Sequence, residues 1–227
     1  MNHQYFCINL RKRNDRWKKC RKEFESANIT VERFEAIEVQ EKPYTGCTLS
    51  HKTILEIAMK RDYDYVWVFE DDINIINPKT FINNLNDALG KMPEDWHILY
   101  IGWLPGRSAK FKKINDSIYK VCWIGCTYGI FYSAKCFKDL SSFLGQSWGD
   151  IPNYKTIDNF LAKNYQKNYP CYSFRNFLVQ ERWDFSDIDN RVKKTHLVYG
   201  IRFFFYKHKA GWILDLMGQI KDFLIGK

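Results

Sequence analysis

The sequence predicts an α/β fold with a mostly parallel central sheet and helices on both faces. Three observations predict it. Short apolar runs alternate with amphipathic segments of helical length from the N-terminus to Trp103, in the order β-α-β-α-β-α-β. A regular alternation of this kind is what a parallel sheet with crossover helices requires. The chain has 227 residues, enough to bury one large core. It is 45% hydrophobic and 17% aromatic, which excludes a disordered chain.

The elements follow in order. "QYFCINL" is a strand buried on both faces, since it has no polar alternation. "NDRWKKCRKEFESAN" is a helix capped by Asn14 or Asp15. "TVERFEAIEV" is a second strand. "TGCTLSHKTILEIAMKRD" is a helix with Leu49, Ile54, Leu55 and Ala58 at helical spacing, capped by Thr48 or Ser50. "YDYVWVF" is a third strand. "NPKTFINNLNDALGKM" is a helix with Pro78 in its first turn, and "HILYIGW" is a fourth strand. Beyond it, "AKFKKINDSIYKVCWI" predicts a hairpin turning at Asn115-Asp116. "TYGIFYSAKCFKDLSSFL" predicts a strand and a helix, and "KTIDNFLAKNYQ" a further helix. No repeat, low-complexity tract or linker divides the chain.

Charge and cysteines narrow the classes. There are 35 Lys plus Arg against 26 Asp plus Glu, a net +9. That balance favours nucleic acid, nucleotide phosphates or an anionic membrane surface as partner, without choosing among them. The seven cysteines include no C-x-x-C pair, so they are read as reduced thiols of a cytosolic fold rather than a zinc knuckle. The N-terminus lacks the apolar stretch of a signal peptide. No apolar run approaches the roughly 18 residues of a membrane span, and the expected location is the cytoplasm. In the tail, Ile213, Leu216, Met217, Ile220, Phe223 and Leu224 share one helical face, after the basic aromatic run "RFFFYKHK". Two readings stay open: a terminal helix packed on the core, or an amphipathic anchor on an anionic membrane.

Chemistry concentrates at "VWVFEDDINII", where an apolar run stops at three consecutive carboxylates, Glu70, Asp71 and Asp72. In a parallel α/β sheet, ligands sit beyond the carboxyl ends of the strands. Like charges this close raise one another's pKa unless something offsets them. A divalent cation does so, and Mg²⁺ or Mn²⁺ takes carboxylate and phosphate oxygens together. Strand alternation lets Glu70 and Asp72 converge while Asp71 points away; a solvated turn is the alternative. A second constellation lies between Arg11 and Lys22, with eight basic residues and only Asp15 acidic. It leaves a strand and enters a helix, where anions bind; Arg11, Arg13 and Arg16 lie nearest the turn. In "GCTLSH", His51 falls in the first helical turn, where the dipole keeps imidazole neutral. Asp150 and Asp158, with Asp184, Asp187 and Asp189, offer a general base and a further metal ligand.

The order of these pieces resembles glycosyltransferase family 25, the lipopolysaccharide and collagen galactosyltransferases. The elements are "INLRKRNDR", "RFEAIE", "GCTLSH", "VFEDDI", "GCTYGIFYSAKCFKDL" and "QERWDFSDI", spanning about residues 4–188. The chain departs from the family in two places: Gly125-Cys126-Thr127-Tyr128-Gly129 stands where G-T-x-A-Y is common, and "AIEVQEKPY" lacks the usual Asp-Gly. The resemblance implies a GT-A type, Rossmann-like α/β/α sandwich over residues 1–190, with a basic, aromatic-rich tail at 191–227. It implies a UDP-sugar donor, Mn²⁺ or Mg²⁺, and a glycan, glycolipid or protein acceptor, with galactose the commonest sugar and no specific nucleic acid. Asp72 would contact the metal with Glu70 and Asp187, and Asp71 would support them. Asn9, Leu10, Arg11, Arg16, Ala36, Ser50, His51, Gly125 and Thr127 would line the donor site. Transfer would invert the anomeric centre, with Asp158 as the base and Asp150 second. A metal-dependent nuclease and a non-catalytic module binding anionic surfaces are the competing classes.

Overall fold

The computed structural model describes residues 2–145 and 156–182, and the backbone of 185–186 and 191–192. The first half runs β1 (His3–Asn9), α1 (Asn14–Ser26), β2 (Glu32–Glu35), α2 (Pro43–Lys60) and β3 (Tyr65–Glu70). After β4 (Ile73–Ile75), a 3-10 turn (Pro78–Thr80) enters α3 (Phe81–Leu89), followed by β5 (Ile98–Tyr100). The hairpin β6 (Leu104–Lys113) and β7 (Ile118–Gly125) leads to β8 (Gly129–Ser133) and α4 (Ala134–Leu144). Helix α5 (Ile157–Phe160) continues through a π turn (Leu161–Tyr165) and a last turn (Gln166–Asn168) to β9 (Cys171–Phe174) and β10 (Val179–Glu181). β11 (Phe185–Ser186) and β12 (Arg191–Val192) pair antiparallel.

Eight strands form one sheet in the order β2-β1-β3-β8-β5-β9-β7-β6. β1 is parallel to both β2 and β3, and β5 to β9. β8 and β7 run against their neighbours, so six of the eight strands point one way. The mixed α/β fold with a mostly parallel sheet is the predicted class. Period-two alternation sorts the side chains into two layers. Phe6, Ile8, Val66, Val68, Ile130 and Tyr132 pack against α2, α4 and α5. Cys7, Trp67, Phe69, Leu99 and Phe131 pack against α1 and α3. All seven cysteines are free, with Cys7 Sγ 3.8 Å from Cys20 Sγ in the α1 layer. No helix among the described residues is long and apolar enough to cross a membrane.

Three local features differ from the sequence reading. α2 starts at Pro43, whose fixed φ suits a first helical position. Thr48 and Ser50 therefore cap nothing, and His51 sits in mid-helix; both hydroxyls bond back to carbonyls four residues earlier, on Tyr44 and Gly46. β2 is shorter than "TVERFEAIEV" because the chain after Glu35 turns to meet α2. β4 was not visible as a strand. Its three residues are too few to show a period, and its partner β10 lies far along the chain.

Gly46 sets how closely α2 approaches residues 36–39. A Cβ there would sit inside the van der Waals shell of the Ile37 carbonyl oxygen. The Ser50 hydroxyl completes the join, accepting the Ile37 N–H at 2.9 Å and donating to the Gly46 carbonyl at 2.8 Å. Gly46→Ala should cost about 1–3 kcal/mol by overpacking, read as a lower urea midpoint. Gly90→Ala, whose Cβ meets nothing nearer than 3.5 Å, should not; equal midpoints for the two variants would remove the close-approach argument.

Candidate active site

β1 and β3 are parallel neighbours with Ile8 opposite Glu70, so Asn9 and the carboxylates emerge together at the carboxyl edge of the sheet. β8 is antiparallel to β3, with Gly129 opposite Phe69, which brings Thr127 to the same edge. Strand parity then divides the three acids. Glu70 continues the Val66–Val68 series toward α2, and its Oε1 accepts the Thr127 hydroxyl proton. Asp71 follows the Trp67–Phe69 series toward α1. There Arg16 Nη1 donates to Asp71 Oδ1 at 2.5 Å and Asn9 Nδ2 to Asp71 Oδ2 at 2.5 Å. Arg16 and Asp71 side chains are each only 8% exposed, so the pair is buried. Burial pushes the Asp71 carboxyl up, and Arg16 and Asn9 oppose that shift.

Asp72 ends in a third environment. Its carbonyl accepts the Arg182 N–H, which ties the turn to the end of β10. Arg182 Nη2 also donates to the Ile73 carbonyl at 2.7 Å. Asp72 Oδ2 lies 3.5 Å from Arg16 Nη2, whereas Oδ1 is buried with no hydrogen-bond partner. Burial pushes the Asp72 carboxyl up to about 8, with Glu70, Glu181 and Asp71 adding to the rise and Arg16 opposing it. Glu181 is itself buried, and it pairs in register with Ile73. A buried oxygen lacking a donor, facing two more carboxylates, is the environment in which a divalent cation replaces a proton. The orphan oxygen of Asp72 fits such an ion, and Asp72 would hold it with the charge of Glu181 beside it. Glu70, expected to converge with Asp72, faces α2 instead, bonded to Thr127 and close to the ligand atoms of Cys47 and His51. Asp71 would not take part, because both its oxygens are engaged.

The other named residues fall into place around this turn. Asn9 is saturated: its Nδ2 also reaches the Arg13 carbonyl at 3.1 Å, and its Oδ1 accepts from Arg33 Nε at 2.9 Å. The Ala36 N–H bonds the Asn9 carbonyl at 3.0 Å, and the Leu10 carbonyl accepts from Arg13 N–H at 2.9 Å. Arg11 is exposed beside them. Arg13 is turned to Asp15, with two contacts of 3.0 Å, which lowers the Asp15 carboxyl to about 2. His51 is wholly buried, its Nδ1 3.0 Å from the Tyr132 hydroxyl and its Nε2 3.9 Å from Glu70 Oε1. Cys126 precedes Thr127 with φ 75°, and Trp123 has φ 65°. Left-handed backbone on non-glycine residues costs on the order of 1–3 kcal/mol and gathers at functional sites. Asp158 Oδ1 bonds the Thr156 hydroxyl and the Asn159 N–H, while its Oδ2 would stand 3.6 Å from a Cβ on Gly125. Asp150 and Asp187, with Asp184, Asp189 and the tail, lie outside the residues described in side-chain detail. Glu181 was missed as a site residue, although it closes "FLVQE" much as Glu70 closes "VWVFE".

The profile of glycosyltransferase family 25 (LPS biosynthesis protein) matches residues 42–128. The matched segment holds α2, β3, the carboxylate turn and the lead into β8, so it is the segment that carries the three acids. No curated protein matches the chain. Among solved structures, a glycosyltransferase involved in glycosylation of the major capsid of PBCV-1 is similar at 8% identity, covering 80% of this chain and 82% of its own, with TM-score 0.50. That similarity is one of fold. A197 from STIV aligns at 13% identity over 86% of this chain and 96% of its own, with TM-score 0.46. A Drosophila β-1,4-galactosyltransferase 7 mutant, in complex with manganese, UDP-Gal and xylobiose, aligns at 10% identity over 89% and 74%, with TM-score 0.42.

Removing Arg16 leaves a buried carboxylate without its cation. Arg16→Ala should destabilise the protein by about 3 kcal/mol at neutral pH. The deficit should shrink as pH falls, because an unpaired buried acid escapes its charge by taking a proton. The folded-state pKa of Asp71 then lies further above its unfolded value, so stability is lost as pH rises through it. Urea melts across pH 5–8 read this, and a pH-independent deficit would refute the pairing.

Proposed function

We propose that this glycosyltransferase moves a hexose from a nucleotide sugar, UDP-galactose first among candidates, to a hydroxyl of a glycan, glycolipid or protein acceptor. The observation that carries the proposal is the buried Asp72 oxygen without a donor, set among Glu70 and Glu181 inside the family 25 segment. Mn²⁺ or Mg²⁺ held there would supply positive charge to the leaving diphosphate. Arg16 keeps the turn from carrying three net charges, and Asp71 and Asn9 hold Arg16 in place. The exposed Arg11 adds cationic charge at the entrance, where phosphates are drawn. Asp158 takes the proton of the attacking hydroxyl as its oxygen bonds the anomeric carbon from the face opposite the leaving phosphate, which inverts the centre. Gly125 leaves room for that approach, since a side chain there would contact Asp158 Oδ2. Residues 1–190 constitute the catalytic domain in this proposal. The tail at 191–227 packs on it or meets an anionic membrane at the cytoplasmic face.

A screen of nucleotide sugars with and without Mn²⁺ tests the reading. UDP-sugar hydrolysis or transfer should require the metal and vanish in Asp72→Asn with the fold retained by circular dichroism. Cleavage of nucleic acid with no turnover of any nucleotide sugar would overturn it. Asp158 has a separate test. As the base, Asp158→Asn should lower kcat roughly 10²–10⁴-fold with little change in donor KM. As a first-turn residue of α5 with a structural role only, behind the Thr156 cap, its replacement by Asn would leave kcat intact.

A further inference from the structure

A second group of metal-ligating atoms lies on the α2 side of the carboxylate turn. Cys47 and His51 are four residues apart on α2, so they share one helical face. That face meets the end of β3 at Glu70. The Cys47 Sγ, one His51 ring nitrogen and one Glu70 oxygen all lie within 4.8 Å of one another. His51 is 0% exposed. Its Nε2 has no hydrogen-bond partner and stands 3.9 Å from Glu70 Oε1. An imidazole nitrogen left in that state deep in a protein forfeits a hydrogen bond unless something else satisfies it.

We propose that Cys47, His51 and Glu70 form a binding site for a borderline-soft divalent ion of the Zn²⁺ type, separate from the oxygen site at Asp72. The donor set decides the ion. One sulfur, one nitrogen and one carboxylate oxygen suit Zn²⁺, and they suit Mn²⁺ or Mg²⁺ poorly, because those ions prefer oxygen throughout. Three protein ligands leave a fourth tetrahedral position for water or another ligand. The partners behind the ligands are present too. The Tyr132 hydroxyl stands 3.0 Å from His51 Nδ1. In the tautomer with its proton on Nδ1, the ring donates to the Tyr132 oxygen and leaves the Nε2 lone pair for the metal. The Thr127 hydroxyl orients Glu70 in the same way. On binding, the Cys47 thiol gives up its proton to solvent and the sulfur lone pair bonds the ion.

The test reads binding directly and does not depend on sugar transfer. Co²⁺ titrated into the purified chain should produce a thiolate-to-cobalt charge-transfer band, displaced by Zn²⁺ and absent in Cys47→Ser. His51→Gln should weaken Zn²⁺ binding by more than the roughly 10–100-fold that losing an outer partner costs. A measurement on the unmodified protein guards against variants that fail to fold. Zn²⁺ should slow alkylation of Cys47, read by mass spectrometry, while leaving Cys122 on β7 unchanged, and Mg²⁺ should protect neither. No charge-transfer band, a band that survives Cys47→Ser, or equal alkylation of Cys47 with and without Zn²⁺ would each overturn the site. A chain that turns over no nucleotide sugar yet binds Zn²⁺ here would sink the transfer proposal alone.

Discussion

The buried pair of Arg16 and Asp71 is the interaction on which the rest of the site depends. Three consecutive carboxylates at the end of a buried strand are electrostatically untenable without compensation. The fold supplies one full cation, from α1, and aims it at the middle acid. Asn9 locks the arrangement from the neighbouring strand, binding Asp71 with its amide and the α1 entry through the Arg13 carbonyl. A buried pair of this kind contributes little net stability, because desolvation offsets most of the attraction. What it fixes is position. With Asp71 neutralised toward α1, Glu70 is left to face α2 and Asp72 to face β10.

That three-way division makes one short turn serve three layers of the protein. On the α1 side both Asp71 oxygens are engaged. On the β10 side Asp72 Oδ1 has no donor, and Glu181 adds charge of the same sign. The α2 side mixes sulfur, nitrogen and oxygen. Two parallel strands, an antiparallel third and a distant short strand are all needed to assemble it. The strain at Cys126 lies at the same edge, in the link that delivers Thr127 to Glu70. Rigidity here comes from over-determination, since β3, β8 and β10 each hold the turn by backbone bonds.

Much of this was legible in particular residues. The continuous apolar run Val66–Phe69 announces a central strand, and its abrupt end at Glu70 announces a ligand edge. The basic turn after Asn9 announces a cation near that edge, and Arg16 is the one that arrives. Other parts were not legible. Glu181 and Arg182 complete the turn through a strand of three residues, too short to show a period. Pro43 starts α2 earlier than the serine and threonine signals suggest, which moves His51 from a helix end into the core. Asp158 taken alone reads as a cap or surface charge before it reads as a base. The structure makes Thr156 the cap of α5, with Asp158 Oδ1 spent on the Thr156 hydroxyl and the Asn159 N–H and its Oδ2 on the side of Gly125.

The sequence by itself determined the layer order, the two faces of each strand and the split between Glu70 and Asp71, because these follow from a period of two and from local chain propensity. Only the tertiary structure decided which partner each acid meets. The cation for Asp71, the acidic neighbour of Asp72 and the cysteine and histidine beside Glu70 come from segments far apart in the chain. Electrostatic and ligand-forming interactions act at a few ångströms, and nothing in the spacing of residues along the sequence records those distances.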